Sequence, residues 1–232
     1  MQSKIDSQIY DVFENIAEKY DIANDIFTFG QHRIWKRKVL KYSNLSNNSN
    51  YLDVATGTGD LPIYLNEQMG IKCNVYATDI NEKMLDVFKR RINELNFNIS
   101  TQDARNLKYN DDYFDAITIS YGIRNIPQPE KAISEFYRVL KNKGMLVVLE
   151  TGVPDGHLKL PYSFYVKNIV PFLGKIITKK KWAYEYLNKT ANNFPYSHSF
   201  VDLVKSTSNF ELIKLEKKLF GASYIYVFKA IK

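Results

Sequence analysis

The sequence of 232 residues predicts an α/β fold: a Rossmann-like, doubly wound, mostly parallel seven-stranded sheet whose C-terminal hairpin is antiparallel. Three observations support this prediction. Short apolar runs rich in β-branched and aromatic residues alternate with helical stretches between residues 51 and 150, as in βαβ units. A glycine-rich loop, DVATGTGD (53–60), follows the first run. Two strand-like runs near the end of the chain predict the hairpin.

The N-terminal residues 1–41 are predicted to form a helical lid. Apolar residues recur there at helical spacing both before and after Gly30. The polar, low-complexity segment YSNLSNNSN (42–50) is the expected linker to the core of the sheet (50–150).

Strands and helices alternate through this core. The predicted strands are 51–55, 74–80, 98–102, 114–120 and 145–150. The predicted helices between them are 60–69, 81–95 and 129–141. Because crossovers between parallel strands are right-handed, this order restricts the topology closely.

The regular alternation ends at residue 151. A loop leads into an aromatic-rich helical insertion (162–208), and together they form a second predicted lid (151–208). The runs 211–218 and 223–230, which meet at Phe220–Gly221, form the closing hairpin within 209–232. No boundary indicates a second domain, so 1–232 is interpreted as one domain.

The net charge of +7 is distributed unevenly. Residues 1–158 hold 19 Lys/Arg and 21 Asp/Glu, whereas residues 159–232 hold 13 Lys, no Arg and 4 Asp/Glu. A nearly neutral first part is not typical of a nucleic-acid clamp, so no nucleic-acid partner is expected. Lysine without arginine suits diffuse attraction to anionic lipid headgroups better than bidentate phosphate recognition.

Several classes of protein are excluded by what the sequence lacks. One cysteine, Cys73, cannot form an intramolecular disulfide or a multi-cysteine zinc site, and His32, His157 and His198 show no metal-ligand spacing. No metal is therefore expected. No apolar run approaches the ~20 residues of a membrane span, and the start resembles neither a signal nor a transit peptide. A cytoplasmic protein, peripheral at the inner membrane face, is the expectation.

The glycine-rich loop predicts a ligand site. Gly57 and Gly59 allow the backbone to turn sharply and approach a ligand, and Asp53 and Thr58 lie beside them. A dinucleotide fingerprint requires a third glycine where this chain has Pro62. An NAD-dependent oxidoreductase is therefore disfavoured.

Other strand ends carry matching signals. Asp79, with Ile80 next to it, ends the second strand, where a carboxylate accepts both ribose hydroxyls of an adenosine. A helix cap is the alternative, for which Asn81 is equally suited. Asp103–Ala104 follow the third strand and suit an adenine, although Asp103 alone is more typical of a turn. Ser120 ends the fourth strand, and together these positions predict an adenosine-containing cofactor.

Longer segments carry a family resemblance. The segments DVATGTGD, ATDINEKML, ITISYGIRNI and EFYRVLKNKG, preceded by AEKYDIANDIFTFGQHRIWK, resemble the class I S-adenosylmethionine-dependent methyltransferases. They resemble more closely the demethylmenaquinone and polyprenyl-benzoquinol C-methyltransferases of quinone biosynthesis. The similarity runs from about residue 10 to the C-terminus. YGIRN and YDIANDIFTFGQHRIWK are specific to that subfamily.

This resemblance implies the cofactor and the residues that hold it. The cofactor would be S-adenosyl-L-methionine. The residues implied to line its site are Asp53, Gly57, Thr58, Gly59, Asp79, Asp103, Ala104 and Ser120, and we add Ile80 to them. The chain departs from the family pattern at RVLKNKG (138–144), Lys189–Thr190 and Asn209–Phe210. Two of these departures leave the predicted cofactor site unchanged, but Lys189–Thr190 weakens any carry-over to the acceptor lid.

The resemblance also implies an acceptor, a polyprenylated quinol that is methylated on a ring carbon. Arg124 and Asn125 leave the fourth strand where such an acceptor would lie, and we predict that Arg124 stabilises the developing phenolate. Tyr20 and Asp60 are further catalytic candidates, with core packing and helix capping as their alternatives. Trp35 either stacks on the quinol ring or packs in the core. His32 is a weaker candidate for the base.

A lipid acceptor predicts contact with a membrane. The segment KIITKKKWAYEY (175–186) combines lysines with Trp and Tyr, which favour the headgroup region; a solvated helix end is the alternative. Homodimer formation is left as an open alternative. Open alternatives for function are a methyltransferase with another acceptor and a non-catalytic scaffold subunit of a quinone-synthesis assembly.

Overall fold

A central sheet organises the computed structural model, which describes residues 2–92 and 97–232. Its strands are β1 (Asn50–Val54), β2 (Asn74–Asp79), β3 (Phe97–Thr101), β4 (Phe114–Ser120), β5 (Leu140–Thr151), β6 (Phe210–Lys218) and β7 (Ser223–Ala230). They lie in the order β3-β2-β1-β4-β5-β7-β6. β1 to β5 pair in parallel, and β7 is antiparallel to both β5 and β6. The predicted fold class is confirmed.

Ten α-helices surround this sheet in the described residues. The first six are α1 (Gln2–Ile16), α2 (Tyr20–Thr28), α3 (Gln31–Tyr42), α4 (Asp60–Gln68), α5 (Glu82–Arg91) and α6 (Pro129–Val139). The others are α7 (Lys159–Phe164), α8 (Val170–Thr178), α9 (Lys181–Asn193) and α10 (His198–Thr207), with a π-helical turn, Tyr165–Ile169, between α7 and α8. The helices that were predicted in the core are present, and the insertion is helical as expected.

Three predicted helix boundaries differ from the observed ones by two residues or more. The helix predicted over 129–141 ends at Val139, because β5 begins at Leu140 and includes a register shift opposite Phe114 and Ala116. The helix predicted over 81–95 ends at Arg91, and residues 93–95 lie outside the described residues. The insertion begins at Lys159 instead of residue 162.

Local chemistry explains where α5 begins. The Asn81 side chain accepts a hydrogen bond from the backbone N–H of Met84 at 3.1 Å, as an N-cap does. Met84, Leu85 and Phe88 then bury one face of the helix. Asn81 therefore caps this helix, and Asp79 is left free for another role.

Buried side chains form separate clusters on the two faces of the sheet. Phe136 and Phe200 lie in the first cluster, and Val39 and Leu65 lie in the second. A third cluster, which includes Val12 of α1, Ala23 of α2 and Tyr184 of α9, lies away from the sheet. It holds α1 and α2 against α8 and α9, whereas α3 and α10, which belong to the two predicted lids, pack on the sheet in the second and first clusters.

Within the described residues, no helix is long and apolar enough to cross a membrane.

Candidate active site

The two glycines of the loop after β1 serve different purposes. A Cβ added at Gly57 (φ +58°) would meet no atom closer than Met84 Cε, at 4.0 Å, so the loop leaves room there. A Cβ at Gly59 (φ +83°) would lie 2.0 Å from Cδ2 of the buried Phe88. The positive φ of Gly59 agrees with the predicted sharp turn, but its missing side chain makes room for Phe88 of α5, and its contact with a ligand stays a prediction.

Asp79 is held firmly at the end of β2. Its Oδ2 accepts from the Gly57 N–H at 2.9 Å, and its Oδ1 accepts from the Asn81 N–H at 2.9 Å. Burial raises the pKa of the carboxyl, while the backbone hydrogen bonds oppose that shift. The carboxylate therefore has a single orientation before any ligand binds.

Asp53 is buried at the base of the same cleft. It accepts hydrogen bonds from the hydroxyls of Thr56 at 2.7 Å and Thr118 at 2.6 Å. Burial raises its pKa to about 7 despite these bonds. The Ser120 hydroxyl is buried nearby and has no hydrogen-bond partner in the part of the chain that the structure describes.

The predicted cofactor residues line two adjoining cavities at the strand ends. One, of about 90 Å³, is lined by Asp53, Gly57, Thr58, Asp79, Ile80 and Ser120. The other, of about 70 Å³, is lined by Asp79, Ile80, Asp103 and Ala104. Because they share two of these residues, they form one cofactor cleft. Ile9 of α1 contributes to both cavities, so α1 covers the cleft.

Asp103 forms the hydrogen bonds of a turn residue and also borders the cofactor cleft. It accepts a bidentate pair of bonds from the Arg105 guanidinium and a further bond from the Arg105 N–H, as a turn residue does. The hydrogen bonds from Arg105 lower the pKa of Asp103 despite its partial burial. It nevertheless lines the cleft.

Asp60 lies in a buried network of charges. It pairs with Lys36 Nζ at 2.8 Å and with Arg91 Nη2 at 2.9 Å, and these cations hold its pKa well below the usual range in spite of burial. A carboxylate with so low a pKa does not accept a proton readily. The geometry therefore opposes the predicted role of Asp60 as a base. Sequence reasoning missed both cations: Lys36 lies in the subfamily segment 20–36 but was not singled out there, and Arg91 lies in none of the segments that carry the family resemblance.

The N-terminal lid is connected to the glycine loop by hydrogen bonds. Thr58 donates to Asp21 Oδ1 at 2.6 Å, and Asp21 Oδ2 accepts from Arg91 Nη1 at 3.0 Å. Asp21 was not predicted, and Thr58 uses its hydroxyl within the protein. The lid is therefore positioned directly over the cofactor cleft.

Another cavity, of about 360 Å³, lies outside the cofactor cleft, between the N-terminal helices and the insertion. We name it the acceptor cavity. Its aromatic lining consists of Tyr20, Phe27, Phe29, Trp35, Tyr121, Tyr162, Tyr165 and Tyr184. Tyr20 and Tyr121 also line the cofactor cleft, so the two spaces meet at these residues. Trp35 is 6% exposed and packs in the sheet core, which is one of its two alternatives; stacking on the quinol ring stays a prediction.

Arg124 lines the acceptor cavity and is buried against Glu150. Its Nη1 donates to Glu150 Oε1 at 2.5 Å and to the Tyr121 carbonyl at 2.9 Å. Its Nε is buried without a partner among the described residues, so one donor remains for another group. The neighbouring Glu150 carboxylate raises the pKa of Arg124 despite burial. Glu150 was missed, although it lies close to the end of β5.

Asn125 lies on the cofactor side. It lines both cavities of the cofactor cleft and is absent from the acceptor cavity's lining. Its Oδ1 accepts from the Thr190 hydroxyl at 3.0 Å. The prediction that Asn125 contacts the acceptor stays a prediction, and this position places the side chain nearer to the cofactor cleft. Thr190, one of the departures from the family pattern, holds the side chain from α9.

His32 is a buried, neutral imidazole in the wall of the acceptor cavity. Burial lowers its pKa to about 4, and the nearby Lys36 adds to the shift. The Thr28 hydroxyl donates to the Asn24 carbonyl at 2.8 Å, so its oxygen accepts from His32 Nδ1 at 2.8 Å. This arrangement leaves the lone pair on Nε2.

The described residues contain no group of three or more His, Cys, Asp or Glu side chains that could hold a metal ion.

The strand order and a ligand cleft at the parallel strand ends define a class I methyltransferase fold. A SAM-dependent methyltransferase from Aquifex aeolicus matches with a TM-score of 0.59 at 20% identity, covering 84% of this chain and 89% of that one. A possible histamine N-methyltransferase from Thermotoga maritima matches with a TM-score of 0.66 at 19% identity, covering 97% and 100%. At these identities the similarity shows the fold alone.

Sequence comparison gives the family. The model of the ubiE/COQ5 methyltransferase family matches residues 1–230. A demethylmenaquinone methyltransferase of Staphylococcus epidermidis is 42% identical over 81% of this chain and 79% of its own length. A ubiquinone/menaquinone biosynthesis C-methyltransferase UbiE of Rickettsia prowazekii is 42% identical over 88% and 84%. The chain belongs to the ubiE/COQ5 family and is an S-adenosylmethionine-dependent C-methyltransferase, as the resemblance implied.

Proposed function

We propose that this protein methylates a ring carbon of a polyprenylated quinol in menaquinone or ubiquinone biosynthesis. The observation that carries the proposal is the meeting, at Tyr20 and Tyr121, of a cofactor cleft that contains buried carboxylates and a larger cavity rich in aromatic side chains. A methyl donor and an apolar aromatic acceptor require two such spaces in contact. The names of the two bacterial relatives agree with this acceptor class.

The residues of the cofactor cleft fit S-adenosyl-L-methionine. Asp79 presents a carboxylate for the ribose hydroxyls, and Asp103 and Ala104 border the space for adenine. The buried Ser120 hydroxyl has no hydrogen-bond partner among the described residues, so it can bond a polar group of the cofactor. The space at Gly57 admits the ligand close to the backbone. When bound, this cofactor supplies a methyl group that its sulfonium makes strongly electrophilic.

Arg124 and Glu150 would prepare the acceptor ring. The buried guanidinium stabilises negative charge on a quinol oxygen, and that charge increases the nucleophilicity of the ring carbon. Glu150 neutralises the arginine so that its burial is tolerated. Tyr20, in the wall shared by both spaces, would orient the ring. Asp60 would act as a positioning residue, since it keeps Lys36 and Arg91 between the lid and the loop.

We assign proton acceptance to His32. Arg124 is fully protonated and Asp60 is paired with two cations, so neither can take the quinol proton. The neutral His32 imidazole lies in the wall of the same cavity, with its Nε2 3.8 Å from Asp25 Oδ1. Its pKa of about 4 makes it a weak base, so it would hold the proton only briefly. As the ring carbon bonds to the methyl group, the quinol O–H proton would pass to Nε2. The ring C–H proton then leaves to water, which restores aromaticity, and Nε2 returns its proton to the quinol oxygen, so one proton is released overall.

The proposal extends to the location of the protein. The segment 175–186 would contact lipid headgroups at the inner face of a membrane. Of its aromatic residues Trp182 is 41% exposed, whereas Tyr184 is buried and lines the acceptor cavity. Headgroup contact in this segment would therefore involve Trp182 and lysines. A homodimer stays a prediction.

The decisive experiment is incubation with labelled S-adenosylmethionine and either reduced demethylmenaquinone or a polyprenyl-benzoquinol, followed by mass analysis of the product. We expect a gain of one methyl group on the ring. Calorimetry should show S-adenosylhomocysteine binding in the micromolar range and no heat with NADH. Binding without methylation of either quinol would contradict the proposed acceptor.

A further inference from the structure

The helical segment 159–178 carries an exposed row of large apolar side chains. Leu160, Phe164, Phe172 and Ile176 are 80%, 63%, 58% and 62% exposed. We name these four residues the apolar row. Scattered exposed apolar residues are ordinary, but four at multiples of four positions share one side of a helix. In an α-helix, side chains four positions apart rotate gradually around the helix axis. The π-helical turn Tyr165–Ile169, which has more residues per turn, lies within the row and reduces this rotation.

Lysines accompany the apolar row. Lys167, Lys175 and Lys179 each follow a row residue by three positions, so they flank it on the helix surface. All three are exposed, and none forms an ion pair with a described residue. Residues 159–184 contain six lysines and no Asp or Glu. An apolar strip beside unpaired cations is complementary to a bilayer with anionic headgroups.

The opposite side of this segment forms a wall of the acceptor cavity. Tyr162, Tyr165 and Val166 face inward and line it. Phe29 and Leu219 also line the cavity but are 81% and 54% exposed, so they mark where it opens to the outside. One helical segment therefore separates the acceptor cavity from an apolar, basic outer surface.

We propose that the apolar row inserts into the surface of an anionic phospholipid bilayer and its flanking lysines contact the headgroups. This docking places the acceptor cavity one helical segment away from the lipid, and a polyprenylated quinol would enter through the mouth marked by Phe29 and Leu219 while its tail stays in the lipid. The route for the acceptor rests on the proposed function, whereas the docking does not. The surface lies mainly on 160–179 and extends the headgroup contact expected for 175–186.

Sedimentation with lipid vesicles tests the docking on the full chain. We expect binding to phosphatidylcholine vesicles that contain phosphatidylglycerol, and weaker binding without it or at high salt. The variant Phe172→Ser/Ile176→Ser should bind at least about tenfold more weakly, because two large side chains no longer enter the lipid. Lys175→Gln/Lys179→Gln should also lose about tenfold.

Matched controls use exposed residues elsewhere. Ile213 is 45% exposed on β6, and Lys108 and Lys205 are exposed without ion pairs to described residues, so Ile213→Ser and Lys108→Gln/Lys205→Gln should bind like the wild type. Equal losses in the control and row variants would overturn the proposal. So would a stable dimer that the row variants dissociate, because a second copy would then cover the row.

Activity assays separate this inference from the proposed function. Row variants should methylate a short-tailed, water-soluble quinol at the wild-type rate but a long-tailed quinol in vesicles at least about tenfold more slowly. Methylation of the short-tailed quinol by a protein that ignores anionic vesicles would overturn the docking alone. Vesicle binding without methylation of either quinol would overturn the proposed function alone.

Discussion

The cofactor cleft and the acceptor cavity share Tyr20 and Tyr121 but are built differently. Most of the cleft consists of residues at the ends of β1 to β4, and its carboxylates are held by nearby groups, as Asp79 is by Gly57. The acceptor cavity is formed mainly by side chains of α2, the insertion and the turn between β6 and β7. Its buried Arg124 is compensated by an opposite charge, the Glu150 carboxylate.

Because of this difference, the sheet determines how the cofactor binds, and the helices determine which acceptor is used. A cleft on a rigid sheet can hold one cofactor in one geometry. A cavity between helices can change size and opening through a few side chains, without disturbing the sheet. Variants should therefore divide into two groups, one that alters cofactor affinity and one that alters only use of the acceptor.

The largest separation is expected at Arg124. Arg124→Met should lower turnover roughly 10²–10³-fold, about 3–4 kcal/mol, because the phenolate loses its charge partner. Affinity for S-adenosylhomocysteine should stay at the wild-type value, since Arg124 does not line the cofactor cleft. Calorimetry and turnover assays measure both effects.

The matched control for Arg124 is the double variant Arg124→Met/Glu150→Met. It removes the unpaired buried carboxylate and should regain most of the stability lost in the single variant, but none of the turnover. If turnover returned with stability, Arg124 would be structural only.

The glycine loop offers a test on the cofactor side. Gly59→Ala should lower the free energy of unfolding by about 3 kcal/mol, because the new Cβ overlaps the buried Phe88 at a positive φ. Gly70→Ala is the matched control: it has φ +61° but no atom within 4 Å, so only about 1 kcal/mol of backbone strain is expected. Equal losses in denaturant unfolding would show that Phe88 gives way.

Asp79 tests the independence of the two spaces directly. Asp79→Asn should weaken S-adenosylhomocysteine binding by about 1.5–3 kcal/mol, since a charged acceptor for hydroxyls is lost. The KM for the quinol should not change at saturating cofactor. A parallel rise in the quinol KM would show that the cofactor cleft also shapes the acceptor cavity.

The smallest effect concerns pH and His32. Its pKa is about 4 in the folded protein and about 6.5 unfolded, so below pH 6.5 the unfolded chain takes up a proton that the folded protein does not. Stability should therefore fall as the pH decreases from 6.5 toward 4, by about 2 kcal/mol at pH 5.

Comparison with His32→Gln isolates this contribution. Asp53, whose pKa is raised to about 7, increases stability as the pH falls, which is opposite to the effect of His32. Because Asp53 is present in both proteins, its effect cancels in the comparison. Denaturant unfolding at pH 7 and pH 5 should show the extra loss in the wild type only. The same loss in the variant would assign the pH dependence to other groups.

The cofactor cleft was largely predictable because its signals are local. Gly57 and Asp79 lie at strand ends, and parallel strands bring their carboxyl ends to one edge of a sheet. The acceptor cavity was only outlined. Aromatic residues in the insertion were visible, but whether Tyr184 faced lipid or the interior depended on its packing against Phe27 of α2.

Contacts far along the chain bear on two site predictions, which stay predictions. Asp60, a catalytic candidate, is paired with Lys36 and Arg91. Asn125, an acceptor candidate, lines the cofactor cleft and accepts a hydrogen bond from Thr190. Neither partner could be found from spacing, since no helical or strand period joins these positions.

The sequence by itself determined the succession of strands and helices, the position of the glycine loop and the concentration of lysine after residue 158, because periodicity, turn chemistry and charge are carried by neighbouring residues. Tertiary structure alone decided which charges are buried together, that Gly59 serves Phe88, and that two cavities meet at Tyr20 and Tyr121. The reason is physical: the energies of burial and charge compensation depend on residues that only folding brings into contact.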